Sequence, residues 1–218
     1  MQALAAETDT APALLGDILT LQAGRAHEFC GPARRTLAAW VMAGLPAGAP
    51  VVWIRPRWSM EHLHPLGLCD WASPEGLITL TPQRDPEALG CAEEALRSGA
   101  VALVVIELAA PPALTPLRRL HLAAEAGLAR RRTARRDATL LGLVLTPEKG
   151  GAAGVESRWH LSPCPPETAR SDRLRPAWRL ERLRARMAPR ACWHVSTMHA
   201  TCNGGPHRLF AVPVPRDL

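Results

Sequence analysis

Four short apolar runs mark the first two thirds of the chain, each bounded by turn-forming residues: 51–54, 77–80, 101–106 and 140–145. Runs that are apolar on both faces suit strands of a parallel sheet covered by helices, because neither side of such a strand meets water. Segments with helical spacing lie between them. From Pro86 to Ser98, Ala88, Leu89, Ala92, Ala95 and Leu96 form one stripe, with Glu93, Glu94 and Arg97 on the other side. Gly99 stands where a left-handed residue ends a helix. A second stripe, Leu117, Leu120, Ala124 and Leu128, runs through residues 116–128. Strands alternating with helices predict an α/β fold of right-handed βαβ units around a mostly parallel twisted sheet.

The last third has a different texture. Residues 155–161 and 178–195 read as shorter, more polar strands on either side of the proline- and arginine-rich stretch 162–176, and they are expected to pair as an antiparallel hairpin at one sheet edge. After Ser196 the alternation disappears, and Asn203, Gly204, Gly205 and Pro206 read as turn or tail. The expected organisation is an N-terminal extension with a short helix (1–22), one core domain (23–195) and a flexible tail (196–218). In the extension, Leu14, Leu15, Ile18, Leu19 and Leu21 suit either docking on a neighbouring copy or folding back on their own domain.

Charge adds a partner class to this picture. The 26 basic residues exceed the 20 acidic ones, for a net charge of +6, and Lys149 is the single lysine among them. Such a balance favours a polyanionic or acidic partner. Glu7, Asp9 and Asp17 precede the first basic residue, Arg25, so a secretory signal is not expected. No apolar run reaches the length of a membrane span, and the six cysteines include no CxxC pair, so a cytoplasmic chain with reduced thiols is expected.

Several segments, in order, resemble the bacterial recombinase RecA and, more closely, the ImuA family, shortened SulA-like relatives that serve damage-induced mutagenesis. Gly24 to Pro32 resembles the strand entering the RecA phosphate loop, and Leu66-Gly67-Leu68 with Gly76-Leu77-Ile78 resembles the next helix-to-strand passage. The longest match runs from Glu87-Ala88-Leu89 through Ala95 to Val101, Val104 to Glu107 and Ala113 to Pro116. Trp178 to Glu181, Ala188-Pro189 and Trp193 to Val195 resemble the terminal hairpin of that core. The likeness spans about Leu21 to Val195 and implies a RecA-like P-loop NTPase core.

The departures from that pattern concern one site. A working phosphate loop, GxxxxGK[ST], wraps phosphates with backbone N–H groups, reaches them with a lysine and holds magnesium with a hydroxyl. Here Gly31-Pro32-Ala33-Arg34-Arg35-Thr36 enters the helix directly, without the second glycine or the lysine. Arg55-Pro56-Arg57-Trp58 follows the strand 51–54 where hydrolytic relatives carry a water-activating glutamate, and arginine cannot act as a base. Thr146-Pro147 replaces the family's sensor glutamine, whereas Glu107 keeps the position of a magnesium-binding acid. The expectation is a degenerate site with no catalytic residue, no metal and no required cofactor. The alternative is a remodelled ATP–magnesium site using Arg34, Arg35, Thr36 and Glu107.

The resemblance further implies partners: a Y-family polymerase-like subunit, an error-prone replicative-type polymerase, RecA and DNA. A SulA-like division inhibitor is the other interaction reading. Arg130, Arg131, Arg132, Arg135 and Arg136 form the densest charge block, expected after the second helix as a loop that either contacts DNA or a partner or is simply solvated. The glycine-rich stretch 148–157 occupies the place of a RecA DNA-binding loop, but with one basic residue it reads as a flexible connection. Cys192, His194, His199, Cys202 and His207 match no common zinc spacing. Trp178 and Trp193 are expected to pack the hairpin, while Trp58 and Trp71 lie near loops where an indole can anchor a partner.

Overall fold

The computed structural model describes residues 15, 18–134, 139–165, 177–198 and 208–214. They form an α/β fold with a mixed sheet in the order β3-β2-β4-β5-β1-β6-β7-β8-β9. Its strands are β1 (Arg25–Cys30), β2 (Val51–Ile54), β3 (Leu77–Leu80), β4 (Leu103–Glu107), β5 (Leu141–Thr146), β6 (Ser157–Cys164), β7 (Ala177–Ala185), β8 (Ala191–Met198) and β9 (Arg208–Pro213). Neighbours from β3 through β6 are parallel, and β6 to β9 form an antiparallel meander.

Two helical layers cover the parallel part. Helix α1 (Arg34–Ala43) presents Leu37, Trp40 and Val41 to Phe29, Trp53 and Trp159 on one face. Helices α3 (Asp85–Ser98) and α4 (Leu114–Thr133) present Ala88, Ala92, Leu96, Leu117, Leu120 and Leu128 to Ala26, Val52, Val104 and Val144 on the other. The short α2 (Pro65–Cys69) lies between β2 and β3. Both apolar stripes read from the sequence face the core, with Leu89 and Ala95 at its margin, but Glu93, expected on the other side of α3, is buried and pairs with Arg97 and Arg119. Gly99 ends α3 at φ +64, where a Cβ would strike the Gly127 carbonyl oxygen at 2.6 Å, so this cap also sets how closely α3 meets α4.

Three expectations are corrected. Residues 77–80 form an edge strand, with Ile78 half exposed, because no strand pairs with β3 on its far side among the described residues. The proposed tail from 196 onward contains structure: β8 runs to Met198, and β9 adds a strand beside it. The glycine-rich stretch is pinned. The fully buried Glu28 carboxylate accepts hydrogen bonds from the Gly151 and Ala152 N–H groups, the Thr146 hydroxyl and the Arg158 guanidinium. A carboxylate buried at that depth requires such a set of donors.

In the N-terminal segment, Leu15, Leu19 and Leu21 are buried in the α1-side core, so these leucines fold back on their own domain. Trp40, Trp71 and Trp178 form a cluster with ring centroids 5.2–5.8 Å apart, and Trp193 packs beside Trp159 at 6.0 Å. Trp71 is thus part of the packing, whereas Trp58 remains 57% exposed. One irregularity shapes the surface. Trp159 pairs with Arg182 but Arg158 pairs with Arg184, so Leu183 is an extra residue that forms a β-bulge.

Candidate functional site

The parallel strands β1, β2, β4 and β5 end together, and a cleft of about 440 Å³ opens beyond them, lined by Arg34, Arg35, Trp58, Met60, Glu107 and Pro147. Carboxyl ends of parallel strands are where α/β folds place ligands. Three residues, Gly31 to Ala33, connect β1 to α1. Gly31 takes φ +91, and a Cβ there would meet the Leu161 carbonyl oxygen at 2.6 Å, so the chain turns tightly against β6. The Ala33 N–H donates to that same Leu161 carbonyl, and the Arg34 N–H turns back to the Gly31 carbonyl. Two amides that an open phosphate loop would offer to an anion are thereby used inside the protein.

Glu107 lies at the end of β4 and is buried. Its carboxylate accepts from Arg35 Nε at 3.1 Å, from Arg35 Nη2 at 2.5 Å and from the buried Trp53 indole at 2.7 Å. Arg35 Nη1 also donates to Glu61 at 2.5 Å, so one guanidinium bridges two acids. Partial burial opposes the Arg35 charge, but hydrogen bonding and attraction to Glu107 and then Glu61 outweigh it and raise its pKa. Arg55, which the resemblance sets in the place of a water-activating glutamate, is itself buried and donates to the backbone carbonyls of Ser59 and Glu61. It folds residues 56–61 over the cleft and delivers Glu61 to Arg35.

This geometry relocates the expected roles. Glu107 and Arg35, separately assigned to magnesium and phosphate in the alternative reading, neutralise each other. Arg34 donates to the Gly31 carbonyl, Pro32 is exposed, and Thr36 is half-buried within the first turn of α1. The link from Arg55 through residues 59–61 to Arg35 escaped the sequence reading; only the arginine in place of an acid at position 55 signalled it.

The basic run is also relocated. Arg130, Arg131 and Arg132 belong to the last turn of α4 rather than to a loop after it. Arg131 is buried and donates to the Gly99 and Val101 carbonyls, while Arg130 donates to that of Arg97. Those two side chains staple α4 to the α3–β4 turn, Arg131 from a buried position and Arg130 from an exposed one, and Arg132 is exposed on the same turn. Arg135 and Arg136 lie outside the described residues. Cys192 and His194 share one face of β8, but His199, Cys202 and His207 lie outside the described residues, among which no group of three metal-ligating side chains occurs.

Fold and site together define an α/β chain whose strand-end cleft is bridged by an internal ion-pair network. No family model matches the sequence, and no curated protein matches it. Among solved structures the chain is similar to SulA from Pseudomonas aeruginosa, at 20% identity over 56% of this chain and 98% of that one, with a TM-score of 0.42. An overlap this loose assigns neither a family nor an activity. Among the described residues, no helix is long and apolar enough to cross a membrane.

Proposed function

We propose that this protein is a non-hydrolytic accessory of the ImuA type, a RecA-like scaffold that serves SOS-induced translesion DNA synthesis by holding partners in the cytoplasm. One observation carries the reading. The residues a nucleotide would need at the strand ends are committed to each other, with Arg35 bridging Glu107 and Glu61. Binding ATP with magnesium would require breaking a buried carboxylate–guanidinium pair and freeing two engaged amides. The partners are those the sequence resemblance implies: a Y-family polymerase-like subunit, an error-prone replicative-type polymerase and RecA. The loop folded by Arg55 offers a contact surface for the polymerase-like subunit, because it displays Trp58 at 57% and Met60 at 90% exposure, and exposed tryptophans commonly anchor interfaces.

Two measurements test the proposal. A fluorescent ATP analogue with magnesium should show no saturable binding at high micromolar concentration. Saturable binding that Thr36→Ala abolishes would replace the proposal with a divergent ATPase. The purified polymerase-like subunit should bind the wild type, and Trp58→Ala should weaken that binding about tenfold, the scale of an interface anchor. Binding to the tubulin-like division protein in its place would mean a SulA-like division inhibitor.

A further inference from the structure

A second cleft, of about 640 Å³, lies at the opposite end of the strands between α4 and the end of β7. Arginines reach it from separate elements: Arg25 at the start of β1, Arg118 on α4, and Arg184 and Arg186 at the end of β7. The bulge at Leu183 makes this convergence possible. Arg182 lies over the Trp159 and Trp193 rings on the α1-side face, and in a regular strand Arg184 would point the same way. The extra residue puts Arg184 opposite Arg158, on the face that α4 covers. Bulges recur where a side chain must be re-aimed.

The charges at this cleft do not cancel. Glu125 pairs with Arg25, and Glu156 lies 3.9 Å from Arg25 and 4.0 Å from Arg186. Arg118 and Arg184 are exposed and make no ion pair among the described residues. His121 adds no charge at neutral pH. Its Nδ1 accepts from the Ala26 N–H and its Nε2–H donates to the Gly154 carbonyl, and burial lowers its pKa, with repulsion from Arg25 acting in the same direction. Among the described residues of the lining, Leu122 is the one large exposed apolar side chain, so the cleft lacks the aromatic or large apolar cluster that usually anchors a folded protein partner.

We infer that this cleft binds the phosphodiester backbone of a single nucleic-acid strand, with Arg118 and Arg184 as the phosphate contacts and Arg25 and Arg186 holding the charge around them. Guanidinium forks match phosphate oxygens, and converging arginines without a large apolar anchor suit a repeating anionic polymer. The site is independent of the strand-end cleft, so it stands whether or not the polymerase partnership does.

The test is fluorescence anisotropy of a short labelled single-stranded DNA of mixed sequence, titrated with the full chain at several salt concentrations. Wild type should bind saturably, with affinity falling steeply as salt rises. Arg118→Ala and Arg184→Ala should each weaken binding several-fold and lower the salt slope by about 0.7, the share of one phosphate contact on a single strand. Arg118→Lys should keep the slope, because it keeps the charge. Arg57→Ala, an exposed arginine at the other end of the strands, should change neither quantity. Absence of saturable DNA binding, an unchanged slope in both alanine variants, or a loss in Arg118→Lys equal to that in Arg118→Ala would each overturn the inference. So would displacement of the DNA by poly-glutamate at equal charge concentration, which would mean an acidic protein ligand.

Discussion

The two ends of the parallel strands carry the same kind of side chain to opposite effect. At the carboxyl end, each arginine lining the cleft or folding its loop has an acceptor within the chain: Arg34 the Gly31 carbonyl, Arg35 Glu107 and Glu61, and Arg55 the carbonyls of Ser59 and Glu61. At the amino end, Arg25 and Arg186 share Glu125 and Glu156, and Arg118 and Arg184 have no carboxylate partner among the described residues. A guanidinium with internal acceptors is a structural cross-link whose loss leaves buried groups unpaired. One without them is satisfied by water until an anion replaces the water. Whether an arginine is structure or site therefore depends on its acceptors, which the charge content of a sequence does not reveal.

The largest effect is expected where that cross-link is buried. Glu107→Ala removes the acceptor of both the Arg35 fork and the buried Trp53 indole, and should cost about 3–5 kcal/mol, the usual loss when one partner of a buried pair is deleted. For a chain of this size that lowers the melting temperature by on the order of 10 °C, readable by circular dichroism. A change near zero would mean that Arg35 and Trp53 find water instead, and the contrast between the two ends would vanish.

The next effect is set by pH at the amino end, beneath the arginines. His27 is fully buried. Its Nε2–H donates to the Gln22 carbonyl, and its Nδ1 accepts from the Ser157 hydroxyl, which in turn accepts from Trp159. Burial, with smaller repulsions from His121 and Arg25, lowers its pKa from 6.5 to about 4. The unfolded chain therefore binds a proton there first as pH falls. Stability from neutral His27 is complete above pH 6.5 and is lost between 6.5 and about 4, by roughly 3 kcal/mol. Chemical denaturation across that window should show the slope, and His27→Gln should flatten it.

Much of the scaffold was legible from periodicity. The stripes Ala88–Ala92–Leu96 and Leu117–Leu120–Ala124 are the buried stripes, because a helix on a sheet must hide one face and the 3.6-residue period records which. The antiparallel pairing of 155–161 with the strand beginning near Trp178 was legible too, but 178–195, which reads as one strand, is two, β7 and β8, joined by the turn at 186–190. Strand β9 was not legible, since an edge strand with one partner and an exposed face, Phe210 and Val212 included, leaves little apolar signature. The sequence pointed to this cleft only through departures from the pattern it resembles, and the use of Glu107 was not visible, because its partner Arg35 is 72 residues away. The arginine block reads as a loop in the sequence because charge looks like solvent contact. Arg131 instead carries its guanidinium to carbonyls at the end of α3 and start of β4, an arrangement that appears only once the chain is folded. The bulge at Leu183 has no sequence signature either, and it alone decides which face Arg184 occupies.

A smaller effect separates the two acids that Arg35 bridges. The Glu61 carboxylate is 71% exposed, so water can replace it, and Glu61→Ala should cost less than about 1 kcal/mol although its distance to Arg35 matches that of Glu107. Equal losses in the two variants would mean that loop 56–61 and β4 are held with equal force, and that burial is not what distinguishes them.

The smallest stability effect belongs to the residues of the amino-end cleft. Arg118→Ala and Arg184→Ala remove exposed side chains with no ion pair among the described residues, so unfolding free energy should stay within about 0.5 kcal/mol of wild type. Removing a like charge from beside Arg25 and Arg186 relieves repulsion, and any resolved change should be a slight stabilisation. That null result carries information, because a protein keeps cations crowded together without acceptors only at some cost in self-repulsion. If the same two substitutions weaken DNA binding while the melting curve stands still, the cleft is maintained for its ligand. A clear loss of stability in either variant would show that Arg118 or Arg184 works within the fold, as Arg131 does at the end of α4, and the difference between the two ends of the strands would be one of degree.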